Sequence, residues 1–235
     1  MAGPQPPSYM AYDRTIVVFS PDGRLLQVEY ARQMVKSGST SVGLVTPDSV
    51  ILGAVKPSAL LMVSDSSRKI FEVDDHIAMV SSGSLADARN LAEMARVKAQ
   101  VNRVTYNEPI SISTLTKHIC DRKHIVTQYA GVRPYGVGLL IGGVDDTGPR
   151  LYETEPSGTM IEWQAQAVGR GADKAKKILT TGYKADMGEA EATKLLVSAL
   201  NAAEKEAEAD GGANVEVVVV RKNGTKVVSG KDIKA

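Results

Sequence analysis

The chain has 235 residues, 43% of them hydrophobic and 23% charged, which suits one large or two small globular domains and excludes a disordered or fibrous protein. With 28 Lys and Arg against 27 Asp and Glu, the net charge of +1 supplies no global field for nucleic acid, acidic substrates or anionic lipid. A single cysteine, Cys120, excludes an internal disulfide or a thiolate metal cluster and fits a reducing compartment.

Three prolines among the first nine residues block helix and hinder strand, so the opening reads as a mobile or extended tail. It has neither the basic start nor the apolar stretch of a secretory signal, and no apolar run approaches the ~18 residues of a membrane span. A cytoplasmic protein without a membrane partner is expected. From Leu25 the pattern turns helical. Leu25, Val28 and Val35 fall on one side, while Leu26, Tyr30 and Met34 fall nearly opposite. Two apolar stripes ask for two partners, the second being a neighbouring subunit.

After Gly38 the pattern predicts a hairpin of Thr40–Thr46 and Val50–Val55, then strands over Lys69–Val73 and His76–Ser81. Two helices are expected over Leu85 to about Arg103 and Ile112 to about Tyr129, separated at Asn107-Glu108-Pro109. Strands resume at Val137–Val144, Arg150–Thr154 and Thr159–Val168. Helices follow at Ala172–Thr181 and Glu189–Ala209, the latter stopped by Gly211-Gly212. A last hairpin joins Val215–Arg221 to Thr225–Val228 across Asn223-Gly224. This order rules out a simple βαβ series. It suits an α+β fold, a four-layer αββα sandwich with two stacked antiparallel sheets and helix pairs outside.

Few motifs carry chemistry. Gly169-Arg170-Gly171 opening a helix lacks the lysine of a nucleotide loop and reads as a turn and helix start. His118 and His124 lie six apart, about 600° of helix rotation, so no metal site is expected. The basic run Asp121-Arg122-Lys123-His124 and the run Glu204–Glu208 both read as solvated helix faces. No cofactor and no nucleic acid are expected.

Three segments are more specific: Tyr12-Asp13-Arg14 with Phe19–Leu25 and Gln27–Ala31, then Gly38–Gly43, then Gly131–Gly136. In this order they resemble the α-subunit family of the proteasome, in its archaeal type. The resemblance implies the N-terminal-nucleophile hydrolase sandwich for residues 39–235, a ring-packing segment over 13–38 and a gating tail over 1–12. It also implies heptameric rings of α subunits that cap proteolytic β subunits around a gated pore, through which unfolded protein passes. A hexameric ATPase activator is implied as a further partner, docking through its C-terminal tails.

The rival reading is a catalytic threonine- or serine-type amidohydrolase of the same fold, because Gly38-Ser39-Thr40-Ser41 looks like a propeptide cleavage point. That chemistry needs a freed α-amine beside the nucleophilic hydroxyl. The family's aspartate, sixteen residues on, is replaced by Val55, which cannot orient the neighbouring Lys69. No catalytic residue is therefore assigned. A third reading is a binding module that borrows the sandwich. The resemblance places the gate at Tyr12, Asp13, Pro21 and Tyr30, where phenols can hydrogen-bond while packing on a proline. It places the pore loop at Tyr129, Ala130 and Gly131, and the activator-docking pocket at Lys69 and Gly83, with Arg32 as a second cation.

Overall fold

Strand β2 (Ser49–Lys56) is buried at all eight positions, so both of its faces must be covered. Val50, Leu52 and Ala54 point one way, into an apolar layer with Ala78, Val80, Leu140, Leu151, Val218 and Val220. Ile51 and Val55 point the other way, among Leu196, Ala199 and Leu200. The two-residue alternation of a strand thus assigns one face to a second sheet and the other to helices.

The computed structural model describes residue 12 and residues 17–56, 61–63, 67–204 and 214–229. After α1 (Leu26–Ser37) come β1 (Ser41–Val45), β2, β3 (Ile70–Asp74) and β4 (Ile77–Gly83). Helices α2 (Leu85–Tyr106) and α3 (Ile112–Val126) lead to β5 (Val137–Asp145), β6 (Gly148–Thr154), β7 (Met160–Glu162) and β8 (Ala165–Val168). Helices α4 (Ala172–Gly182) and α5 (Glu189–Ala203) precede β9 (Asn214–Arg221) and β10 (Gly224–Ser229). One sheet runs β10-β9-β2-β1-β8 and the other β3-β4-β5-β6-β7, every pairing antiparallel.

Helices α2 and α3 cover the second sheet through Leu91, Ala92, Ala95, Ile112, Leu115 and Ile119. Helices α4 and α5 cover the first through Ala175, Leu179, Leu196 and Leu200. These are the four layers expected. Gly53 shows how tightly the α5 layer sits: a Cβ there would lie 2.4 Å from a Leu196 methyl. Among the described residues, no helix is long and apolar enough to cross a membrane.

Two boundaries differ from expectation. The stretch Thr159–Val168 is not one strand, because β7 pairs with β6 while β8 pairs with β1 in the opposite sheet. The chain changes sheets at Trp163 and Gln164: Trp163 N donates to Leu151 O (2.9 Å), and Gln164 O accepts from Val45 N (2.8 Å). Helix α3 ends at Val126, short of Tyr129, where Thr127 Oγ1 turns back to donate to His124 O (2.7 Å). Of α1, Leu26, expected on the outward stripe with Tyr30 and Met34, is instead buried in the protomer beside Val28 and Ala31, whereas Tyr30 and Met34 remain about half exposed. The side that faces away from the protomer therefore still carries apolar surface. Helix α5 ends at Ala203, with Glu204 as its C-cap, short of the expected Ala209; residues 205–209 lie outside the described residues.

Candidate functional site

The N-terminal segment approaches α1 through a tight turn. Gly23 N donates to Ser20 O (2.8 Å) around Pro21 and Asp22, and Ser20 Oγ accepts from Arg24 N (3.1 Å). Proline presets the turn's first corner and Gly23, at φ +73°, takes the left-handed conformation that follows it. Arg24 then pairs with Glu29 on the first turn of α1. Of the expected gate residues, Tyr12 is half-buried, Pro21 is exposed and Tyr30 is 49% exposed, while Asp13 lies outside the described residues.

At its other end α1 meets β4 backbone to backbone. A Cβ on Gly38 would lie 2.3 Å from Gly83 N, and one on Gly83 would lie 2.3 Å from Gly136 O. Gly83 also has φ +104°, so both space and conformation demand glycine. Ser82 Oγ bridges the junction, within reach of Val35 O (3.0 Å) and Ser39 O (3.1 Å).

Ser39 follows immediately, and here the structure gathers a buried polar cluster. Lys69 Nζ donates to Ser39 O and to Ser39 Oγ, both at 2.7 Å. The Ser39 hydroxyl donates onward to Val55 O at 3.2 Å. Its hydrogen is thus directed at the Val55 carbonyl and its lone pair at the Lys69 nitrogen. Lys69 is 3% exposed, and burial pushes its amine down to about 7, with Glu204 opposing and Arg170 assisting. Two of its three N–H bonds are used among the described residues.

Glu204 is 2% exposed, against the expectation of a solvated run. Its Oε1 accepts from Thr40 N (3.0 Å) and Thr40 Oγ1 (2.9 Å), and its Oε2 from Arg170 Nε (3.0 Å). Burial alone would raise this carboxyl, but the bonds from Arg170 and Thr40 outweigh it and hold it below the usual range. Arg170 N in turn donates to Gly38 O (2.8 Å), so Gly169-Arg170-Gly171 is the turn and helix start expected, with the additional task of gripping Glu204.

Arg32 is paired within the protomer, donating to Glu155 Oε2 at 3.0 and 3.2 Å. It lines a cleft of about 310 Å³ between α1, the end of β6 and α4, whose cations Lys36, Arg170 and Lys176 face Glu153 and Asp173. Lys69 and Gly83 are drawn together around Ser39 and Ser82, while Arg32 stands on the cleft side of α1.

Tyr129, Ala130 and Gly131 project from the protein beyond α3. Tyr129 is 62% exposed, and Gly131, at φ +88°, has nothing within 4 Å of where its Cβ would stand. The loop is fastened behind them. Arg133 makes a two-pronged bond to Asp87 (2.7 and 2.8 Å), whose Oδ2 also accepts from Gly136 N (2.9 Å). Burial would raise the Asp87 carboxyl; the Arg133 and Gly136 donors and the Arg133 charge more than offset that and keep it low.

Chain comparison decides which kind of sandwich this is. The profile of the family described as "Proteasome subunit" matches residues 35–220, and the N-terminal signature of A-type proteasome subunits matches residues 12–33. The chain belongs to the proteasome subunit family. Among relatives of that family it is similar to the proteasome alpha subunit of Methanosarcina barkeri, 53% identical over 179 residues that make up 76% of this chain and 72% of the relative. It is also similar to that of Methanopyrus kandleri, 46% identical over 229 residues (97% and 92%), and of Methanothermobacter thermautotrophicus, 48% identical over 197 residues (83% and 79%).

Sequence reasoning missed Glu204, Arg170, Asp87, Arg133 and Lys123. Lys123 is fully buried, against the expectation of a solvated face, and donates to Val137 O (2.9 Å), Thr154 O (3.2 Å) and Thr154 Oγ1 (2.7 Å). The available signal was helical phase: Lys123 follows Thr116, Ile119 and Cys120 on the buried side of α3.

Proposed function

We propose that this chain is a non-catalytic, α-type subunit of a proteasome core, forming a heptameric outer ring on proteolytic β subunits and controlling entry to them. The observation that carries the reading is Ser39. It stands where the fold would present a nucleophile, yet it is peptide-bonded to Gly38, its hydroxyl donates to Val55 O, and Val55 replaces the acidic partner. The A-type signature over residues 12–33 and the half-exposed Tyr30 and Met34 on α1 support a ring-building role.

In this reading residues 1–12 are the gate, positioned by Tyr12, Asp13, Pro21 and Tyr30, and the Tyr129–Gly131 loops of seven copies narrow the pore so that only unfolded chain passes. A hexameric ATPase activator docks by its C-terminal carboxylates at Lys69, beside Gly83 and with Arg32 nearby. Among the described residues Lys69 donates only to Ser39, and this supports the reading, since a further N–H is then left for a carboxylate. The assembled particle acts in the cytoplasm.

The experiment is coassembly with β subunits. Deleting residues 2–12 is expected to leave assembly and small-peptide hydrolysis unchanged and to raise the rate of casein degradation. Equal casein rates would refute the gate, and peptide hydrolysis by α rings alone that is lost in Ser39→Ala would refute the non-catalytic assignment.

A further inference from the structure

The peptide unit between Ser39 and Thr40 is held from both ends by charge. Its carbonyl, Ser39 O, accepts from the Lys69 ammonium at 2.7 Å; its N–H, on Thr40, donates to the Glu204 carboxylate at 3.0 Å. In a trans peptide these two groups point in opposite directions. The cation therefore sits at the negative end of the peptide dipole and the anion at its positive end, each reinforcing the other through one rigid unit. Both side chains are almost fully buried, so little water screens the pair.

We infer that Glu204 is the positioning residue of Lys69: through the Ser39–Thr40 peptide it keeps the buried ammonium charged and aimed, and so fixes the pH range over which a carboxylate can be captured at that lysine. The capture step rests on the docking reading above; the coupling between Glu204 and Lys69 does not. Among the described residues, the charges acting on Lys69 are Glu204 at the end of α5 and Arg170 in the turn before α4. Among the described residues, the groups hydrogen-bonded around it from the segment before β1, from β2 and from β4 are neutral: Ser39 and Thr40, Val55, and Ser82.

Arg170 explains why the carboxylate is indispensable. The guanidinium holds Glu204 Oε2 and is fixed to Gly38 O through its own backbone N–H. With the carboxylate neutralised, Lys69 would face a buried site and an uncompensated guanidinium, both of which favour the neutral amine. The amine already sits near 7, so losing the one stabilising charge discharges it at physiological pH.

The test uses αβ particles with wild-type or Glu204→Gln α subunits, and measures binding of the hexameric ATPase activator between pH 5.5 and 8.5. Glutamine retains an oxygen acceptor for Thr40 but sets an amide NH2 against the Arg170 guanidinium, so it removes the charge together with the bond from Arg170. Wild-type affinity is expected to fall with rising pH above about 7. In Glu204→Gln the fall should begin about one pH unit lower, giving about fivefold weaker binding per site at pH 7 that recovers by pH 5.5. Recovery at low pH separates lost charge from damaged structure. Coincident pH profiles, or a loss that acid does not restore, would overturn the assignment. Lys69→Ala distinguishes the two layers: if it binds as wild type does, the docking site is misplaced. The coupling is then read from the urea stability of α rings. Lys69→Met should remove a rise in stability above pH 7, and Glu204→Gln should move the onset of that rise to lower pH; an unmoved onset overturns the inference.

Discussion

Replacing Lys123 by methionine should make stability less dependent on pH in the neutral-to-alkaline range. The ammonium lies inside the layer between α3 and the second sheet, where burial pushes it down to about 7 from 10.5. At about 1.4 kcal/mol per tenfold change in proton affinity, carrying the charge in the folded state costs about 5 kcal/mol below pH 7. The folded amine binds its proton more weakly than the unfolded one, so between about pH 7 and 10.5 the unfolded state holds more protons, and wild-type stability rises with pH. From pH 7 to pH 9 this contributes about 2 kcal/mol, which the methionine variant lacks. Methionine also leaves Val137 O, Thr154 O and Thr154 Oγ1 without their donor, a loss of about 1–3 kcal/mol per unsatisfied group that does not vary over this range. Urea unfolding of α rings at fixed protomer concentration, at pH 7 and pH 9, isolates the effect as the difference between the two proteins. The Cys120 thiol, pushed up to about 11 by burial, begins to ionise in the unfolded chain near pH 9, a contribution common to both proteins that drops out of their difference. If the wild-type advantage is the same at both pH values, Lys123 keeps its proton in the folded chain through pH 9, and burial does not depress its amine as argued.

Glycine chemistry can be tested by contrast. Gly83→Ala combines φ +104° with a 2.3 Å approach to Gly136 O and should cost about 3 kcal/mol or more, whereas Gly131→Ala, at φ +88° in open space, should cost about 1–2 kcal/mol; thermal unfolding ranks them. Asp87→Asn should destabilise by about 1–2 kcal/mol, read as a lower Tm. Because the folded Asp87 carboxyl is held low, its contribution is present above about pH 4 and disappears as the pH falls through the lower folded value, so variant and wild type should converge in acid.

The layers were readable because β2, β4 and β5 are long apolar runs separated by turn residues, and a strand buried on both faces can only lie between two other layers. The change of sheet at Trp163 was not readable. Met160 to Val168 contains no glycine or proline to mark a break, and the acceptor in β6 and the donor in β1 divide it. Lys69 was visible through the resemblance. Its partner Glu204 was not, because an acid in a run of Glu and Lys carries no local sign of burial. That burial comes from Thr40 and Arg170, 164 and 34 residues away along the chain.

Strand β9 lies between β2 and β10, and its partner β2 was synthesised some 160 residues earlier. A ribosome-bound chain lacking residues 214–229 therefore leaves β2 as a sheet edge whose Val50, Ile51, Leu52 and Val55 have lost their neighbour. Closing that gap is a long-range event of the kind that folds slowly, and an unpaired apolar edge pairs readily with other chains. Completion of the first sheet consequently coincides with arrival of the β9–β10 hairpin. A prematurely terminated chain would present β2 to solvent and so become an unfolded polypeptide of the kind assigned above to the finished particle.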